Sequence, residues 1–360
     1  MTWWFDPART YEDNVAQGPF GDFASPVPAA LASGLGPGES FLGIRVRSAF
    51  GIAAGPLPTA RHCAAAFAHG FDVNVYKTVR SRAVAAHPFP NTLAVRAPGD
   101  LEASPGATAV ADSAIESATS ISNSYGVPSP DPDVWQPDMQ RAATAAGDGQ
   151  LLVGSCQGTR AGGSEGSLVV DYARTAALVA QAGAHAVELN LSCPNEGTTR
   201  LVCRDPDLTA RIVRAVKETV GDLPVIVKVA YVGSDDALER LVTAVAGVAD
   251  AIAAINTLPA RLVARDGTQA LPGAGREIAG VCGAAIRWAG LEMTERLCRA
   301  REARGADFAI VGVGGVLTAQ DYRAYRAAGA DAAMAATGAM RDSSLGRAIR
   351  SLAEPTGAGG

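Results

Sequence analysis

No two cysteines in this chain stand as a CxxC pair. The six present (Cys63, Cys156, Cys193, Cys203, Cys282 and Cys298) are scattered, which argues against an iron–sulfur cluster or a structural zinc site and fits the reduced thiols of a cytoplasmic protein. The four histidines form no HExxH-like set, so no metal is expected. There is no basic run to track a phosphate backbone, and the formal net charge is −5; nucleic acid is a poor partner for such a surface. No stretch approaches the ~18 uninterrupted apolar residues of a membrane span. The start lacks the basic and apolar regions of a signal peptide. Trp3, Trp4 and Phe5 have no amphipathic helix behind them and are expected to cover a core or a subunit contact rather than touch a membrane.

What the chain does have is ample core material, 48% hydrophobic residues in a length of 360. A barrel of ~250 residues plus insertions fits as one domain. Eight apolar runs recur: Gly51–Ala54, Val73–Lys77, Leu151–Ser155, Ala186–Leu191, Val225–Val229, Ala251–Asn256, Phe308–Val313 and Ala332–Ala336. Most are continuous rather than alternating, as in parallel strands buried on both faces. Helical signals lie between them. Asp205-Pro206 offers an N-cap and a first-turn proline, Leu208, Ile212 and Val216 line one face, and Gly221 ends that helix. Leu168, Tyr172, Ala176 and Val179 make another stripe, and Thr318 with Asp321 resembles a capping box. The order predicts an α/β fold, a (β/α)8 TIM barrel. Residues 1–45 read as an N-terminal extension closing the barrel bottom or edge. Residues 79–150, between strands 2 and 3, exceed one crossover and read as a long insertion of loops or small hairpins over the barrel mouth, with a helix near Pro137–Ala146. Residues 354–360 read as a disordered tail.

Active sites of such barrels lie at the carboxyl ends of the strands. There the sequence places Lys77-Thr78, Asn190 with the following Ser192-Cys193-Pro194-Asn195, Lys228, Asn256-Thr257, Gly314-Gly315 and Thr337-Gly338. Two lysines, three asparagines and a cysteine converge on one rim. A lysine within Val225–Val229 is not required by any strand pattern, and its apolar neighbours argue against a snorkelling role. The glycine turns after strands 7 and 8, with Gly280–Gly283, suit a phosphate. Cys203 reads as a buried, inert thiol, Cys156 and Cys282 as small hydrophobes, and His185 as structural. Thr159–Ser164 lacks P-loop spacing and reads as a surface connection.

At these residues the sequence resembles the dihydroorotate dehydrogenase family. The segments that carry the likeness are Val75–Thr78, Ser122–Pro128, Asn190–Asn195, Ile255–Thr257, Gly280–Gly283, Gly312–Gly315 and Ala336–Gly338, in family order, from about Gly51 to Met340. The resemblance implies FMN, held by Ala54, Gly55, Lys77, Thr78 and Lys228, with Gly283, Gly314, Gly315, Thr337 and Gly338 at its phosphate. It implies a pyrimidine gripped by Lys77, Asn123, Asn190, Asn195, Asn256 and Thr257, and Cys193 as catalytic base. The reaction implied is oxidation of dihydroorotate to orotate in pyrimidine synthesis, a proton leaving to the cysteine and a hydride to flavin N5. A cysteine base and no membrane-docking segment resemble the soluble, class 1-like branch, which comprises homodimers and complexes with an electron-transfer flavoprotein subunit.

Three alternatives stand beside this. Dihydropyrimidine dehydrogenase-like enzymes resemble the chain but tend to carry histidine where Asn195 stands. A paralogue recruited to another small ring compound would fit the departures at Ser129, at Pro128–Pro137 and at Leu271–Arg276. A flavin-binding barrel without turnover is opposed by the full polar set.

Overall fold

The computed structural model describes residues 3–25, 27, 38–160, 164–192 and 201–352. Helix α1 (Tyr11–Gln17) comes first, then a hairpin of β1 (Glu39–Phe41) and β2 (Ile44–Val46). β3 (Phe50–Ile52), α2 (Ala60–Ala68) and β4 (Val73–Val79) follow. The next segment holds β5 (Ala94–Arg96), β6 (Thr108–Asp112), β7 (Ser120–Asn123) and α3 (Pro132–Thr144). Strand and helix then alternate through β8 (Leu151–Cys156), α4 (Glu165–Gln181), β9 (Ala186–Asn190), α5 (Pro206–Val220), β10 (Val225–Val229), α6 (Asp235–Val245) and β11 (Ala251–Ala254). A second hairpin, β12 (Leu258–Val263) and β13 (Ile278–Gly283), interrupts the alternation. It resumes with α7 (Arg287–Arg304), β14 (Ala309–Val313), α8 (Ala319–Ala327), β15 (Ala332–Ala335), α9 (Thr337–Arg341) and α10 (Leu345–Arg350).

All eight predicted strands form. They make one parallel sheet in the order β3-β15-β14-β11-β10-β9-β8-β4, a nearly closed TIM barrel. Its two end strands meet without a ladder. Asp72 N–H donates to Phe50 O (2.9 Å), and the Asn74 side-chain oxygen accepts from Ile52 N–H (3.2 Å). The approach is so close that a Cβ on Gly51 would lie 1.6 Å from Val73 O, which only glycine permits.

Side chains inside the barrel follow the two-residue period of the strands. Val73, Val75, Leu151, Val153, Ala186, Ile226, Ala251 and Val311 belong to one inner apolar cluster, capped from below by Phe41 and Val46 of the first hairpin. At that floor Arg350 reaches the buried Asp72, which also accepts from Ser48 and Gln150.

The segment over the mouth is more ordered than loops. β5, β6 and β7 combine with the β12–β13 hairpin into a small closed five-stranded barrel, in which β7 pairs β13 and β6 pairs β12. The expected helix near 137–146 begins earlier, at Pro132. Asp131 accepts from Asp133 N–H as its N-cap, the same Asp-Pro start seen at 205–206, and Pro137 is carried inside. The capping box at Thr318 and Asp321 is present. Trp3, Trp4 and Phe5 are buried. The tail expected at 354–360 lies outside the described residues.

Candidate active site

A cavity of about 490 Å³ opens at the carboxyl ends of the barrel strands, roofed by the small barrel, within the range of small-molecule sites. Ala54 and Gly55 follow β3 and line it, as do Lys77 and Thr78 at the end of β4. Asn123, Asn190 and Lys228 line it from β7, β9 and β10. Asn256, Thr257 and Thr337 complete the predicted residues on its wall. Cys193 and Asn195 lie outside the described residues.

These side chains are tied to one another. Lys77 Nζ donates to Pro128 O (3.2 Å) and Thr78 O (3.3 Å). Thr78 and Ser155 share a hydroxyl–hydroxyl bond of 3.0 Å. Asn190 Nδ2 donates to Gln157 Oε1 (3.1 Å), and Asn190 Oδ1 accepts from Ser192 Oγ (3.1 Å). Asn256 Nδ2 in turn donates to Ser192 Oγ (2.9 Å). Tyr172 Oη fixes the strand end by donating to Asn190 O (2.8 Å). The two amides are thereby held in set orientations before any ligand arrives.

Lys228 is different. It is buried, lines the cavity and makes no hydrogen bond among the described residues; its charged neighbour is Glu188, with Nζ 3.9 Å from Oε2. Both Glu188 oxygens are buried without a hydrogen bond among the described residues. The three ammonium donors are thus available to an acceptor in the cavity.

Gly283, Gly314, Gly315 and Gly338 do not line the cavity themselves; they pack where strand ends cross beside Thr337. A Cβ on Gly315 would lie 2.8 Å from Gly283 O, and one on Gly338 would lie 2.1 Å from Val316 O. Backbone packing excludes a side chain at Gly283, Gly315 and Gly338 whatever anion binds there, and at Gly314 the φ of +130° does so. The buried Thr337 hydroxyl makes no hydrogen bond of ordinary geometry among the described residues.

Cys282 packs against the hydrophobic core, as expected from the sequence, and also reaches the cavity. Its side chain is half-buried on the cavity wall, because β13 ends there, and Sγ donates to Ile121 O (3.4 Å). Burial pushes this thiol up to about 11, opposed by the nearby Thr337 hydroxyl, so it is a poor base. Cys156 and Cys203 are buried, and burial raises both thiols. His185 Nδ1 accepts from Leu152 N–H (3.0 Å), a structural role at the far end of the strands.

Sequence reasoning missed several groups on the wall. Arg276, in a loop noted only as unusual, is buried and donates to Pro88 O (2.7 Å), Pro90 O (2.7 Å), Pro272 O (3.1 Å), Ser124 O (3.2 Å) and Ser124 Oγ (3.1 Å). It fastens three mouth loops together. Arg204 and Arg261 also line the cavity, and Phe5 and Tyr11 reach it from the N-terminal segment. The wall therefore carries the cations Lys77, Lys228, Arg204, Arg261 and Arg276 and, among the described residues, no carboxylate. In a chain of net charge −5 this concentrates positive potential at one place, which favours anionic ligands.

Comparison with known proteins agrees with the geometry. Residues 39–350 match the dihydroorotate dehydrogenase family profile. A dihydroorotate dehydrogenase of Dictyostelium discoideum is 31% identical over 334 residues, 88% of each chain. Catalytic subunits of dihydroorotate dehydrogenase B (NAD(+)) match over shorter spans. That of Solidesulfovibrio magneticus is 34% identical over 40% of this chain and 45% of its own, and that of Desulforudis audaxviator 35% over 43% and 48%.

Proposed function

The chain belongs to the dihydroorotate dehydrogenase family, and from that premise we propose that it oxidises dihydroorotate to orotate in pyrimidine synthesis, with FMN bound in the barrel mouth. The observation that carries this reading is the wall of five cations and, among the described residues, no carboxylate around a pre-set asparagine cluster. The substrate carboxylate and the cofactor phosphate are both anions, and the ring amides need neutral donors and acceptors.

Lys77, Asn123, Asn190, Asn256 and Thr257, with Asn195, grip the pyrimidine. Asn190 and Asn256, fixed through Ser192 and Gln157, present amide groups to the ring without adding charge. Cys193 takes the proton. A thiol starts near pKa ~8.5, and cationic surroundings favour its thiolate. Ala54, Gly55, Thr78 and Lys228 hold FMN. The Lys228 ammonium and the Thr337 hydroxyl, neither hydrogen-bonded in ordinary geometry among the described residues, are two groups that such a ligand would satisfy. Gly283, Gly314, Gly315 and Gly338 would hold the phosphate through backbone N–H groups, with the Thr337 hydroxyl beside them. When bound, FMN supplies the two-electron acceptor. Lys228 contributes a fixed positive charge to the cavity wall, where it can offset negative charge gathered on reduction.

The proposal extends to one FMN-binding domain over residues 1–360, of the soluble cysteine-base branch, cytoplasmic, and working as a homodimer or beside an electron-transfer flavoprotein subunit. No helix among the described residues is long and apolar enough to cross a membrane.

The test is an anaerobic absorbance spectrum of the purified protein before and after dihydroorotate. A yellow protein that bleaches is the expected result. Bleaching by dithionite but not by dihydroorotate would reassign the substrate, and a protein that cannot be loaded with FMN would overturn the reading.

A further inference from the structure

The N-terminal segment lies outside the family match, which starts at residue 39, yet it supplies part of the cavity wall through Phe5 and Tyr11. The segment is built to stay in place. The buried Asn14 amide donates to Asp6 O (2.9 Å) and Thr10 O (2.9 Å) and accepts from Asp6 N–H (2.7 Å). Trp4 is buried, with its indole N–H donated to Ala339 O in the middle of α9. From α2, Arg61 donates to Val15 O (3.0 Å) and Ala16 O (2.8 Å) and so fastens the end of α1.

So anchored, the segment meets two parts of the substrate end. The Lys77 ammonium lies 5.9 Å from the Tyr11 ring centroid, within reach of a cation–π attraction that strengthens on desolvation. Tyr125, two residues after Asn123, meets both Tyr11 (6.1 Å, 64°) and Phe5 (6.0 Å, 81°) in edge-to-face packing. Lys77 also donates to Pro128 O, at the end of the same loop. Tyr11, Lys77 and the Asn123–Pro128 loop are thus one packed unit.

We propose that Tyr11 is a positioning residue for substrate: its ring sets Lys77 and the Asn123 loop at the pyrimidine end of the cavity, so that substrate affinity depends on a segment outside the family-matched residues. This rests on the reading that the pyrimidine binds between Lys77 and Asn123. The contacts are borne by the ring face and edge, and the hydroxyl makes no hydrogen bond among the described residues. Burial raises that hydroxyl well above its ordinary range, so it stays neutral.

The test compares the FMN-loaded wild type with Tyr11→Phe and Tyr11→Leu. The readouts are FMN content, the Kd of orotate from the flavin difference spectrum, and the KM and kcat for dihydroorotate. Tyr11→Phe keeps the ring and is expected within about twofold of wild type. Tyr11→Leu keeps apolar volume without a ring and is expected to weaken orotate binding and raise KM about fivefold or more, with FMN content and kcat nearly unchanged. Wild-type affinity in Tyr11→Leu would overturn the proposal, as would an equal loss in Tyr11→Phe. Loss of FMN from Tyr11→Leu would reduce Tyr11 to a packing residue and overturn it too. A wild type that holds FMN but binds no orotate would overturn the substrate reading itself, and the positioning role with it.

Discussion

Consider two buried ion pairs of this barrel, one at each end. At the floor, Arg350 and Asp72 meet at 2.6 Å and 3.1 Å, and the Asp72 carboxylate also accepts from Ser48 (2.8 Å) and Gln150 (3.1 Å). At the mouth, Lys228 and Glu188 stand 3.9 Å apart, and neither has a hydrogen bond among the described residues. Chain, barrel and depth are the same, so burial alone does not explain the difference. A buried polar group without a partner is costly, and the fold removes that cost at one end while leaving it at the other. The unsatisfied end is where the cavity, the cations and the asparagines are. The contrast teaches that the barrel is closed by its own side chains at the floor and left open to a ligand at the mouth.

Breaking the floor pair should have the largest effect. Asp72→Ala leaves Arg350 buried, and arginine has no neutral form to retreat to, so a loss of about 3–5 kcal/mol is expected in urea unfolding. Even the intact pair is not a strong stabiliser, because burial raises the Asp72 carboxyl despite Arg350, Ser48 and Gln150. Replacing both partners with apolar residues should therefore cost far less than replacing one. A smaller loss is expected at the mouth. Lys228→Met breaks a 3.9 Å contact that carries no hydrogen bond among the described residues, so the expected loss in the flavin-free protein is about 2 kcal/mol. Adding Glu188→Gln should recover most of that stability and none of the FMN affinity. Recovery of both would mean that Lys228 serves the fold and not the ligand.

An orphaned atom away from the cavity sharpens the comparison. His62 is buried behind the N-terminal segment, with Nδ1 bonded to the Thr59 hydroxyl (2.8 Å) and Nε2 without a partner among the described residues. Here the fold's answer is neutrality: burial, and secondarily Arg61, lowers the imidazole to about 3. Between pH ~6.5 and this value the unfolded chain takes up a proton that the folded chain refuses. The stability His62 contributes is complete above pH ~6.5 and falls as the pH drops, by up to about 1.4 kcal/mol per pH unit. Urea midpoints at pH 7, 6 and 5 should fall steeply for the wild type and less for His62→Gln; parallel slopes would show the imidazole to be uninvolved.

The barrel was legible because its strands are continuous apolar runs that stop at polar residues, and that local signal survives in a single sequence. Lys228 was legible for the same reason, as a charge where a strand wanted none. Glu188 carries the identical signal inside Ala186–Asn190 and went unread, because no ligand-binding role drew attention to a carboxylate there. The small roofing barrel could not be read: β5–β7 are short, and their partners β12 and β13 lie more than a hundred residues away in the chain. Arg276 bonds to four carbonyls and a serine hydroxyl, none of which has a sequence signature. Phe5 and Tyr11 reach the site only because the chain folds back across its own mouth.

The smallest effect is also the most discriminating. Thr337→Val removes the orphaned hydroxyl on the cavity wall and keeps the shape of the side chain. If the hydroxyl has no protein partner, the flavin-free protein should gain about 1 kcal/mol, since an unsatisfied buried group has been removed. If the hydroxyl bonds the cofactor, the same change should raise the FMN Kd about fivefold, the worth of one ordinary hydrogen bond. The two shifts have opposite signs, and general damage to the fold cannot produce both. Melting of the flavin-free protein and fluorescence titration with FMN measure them separately. A loss in both would mean that Thr337 has a protein partner, and the mouth would then be as self-sufficient as the floor at that position.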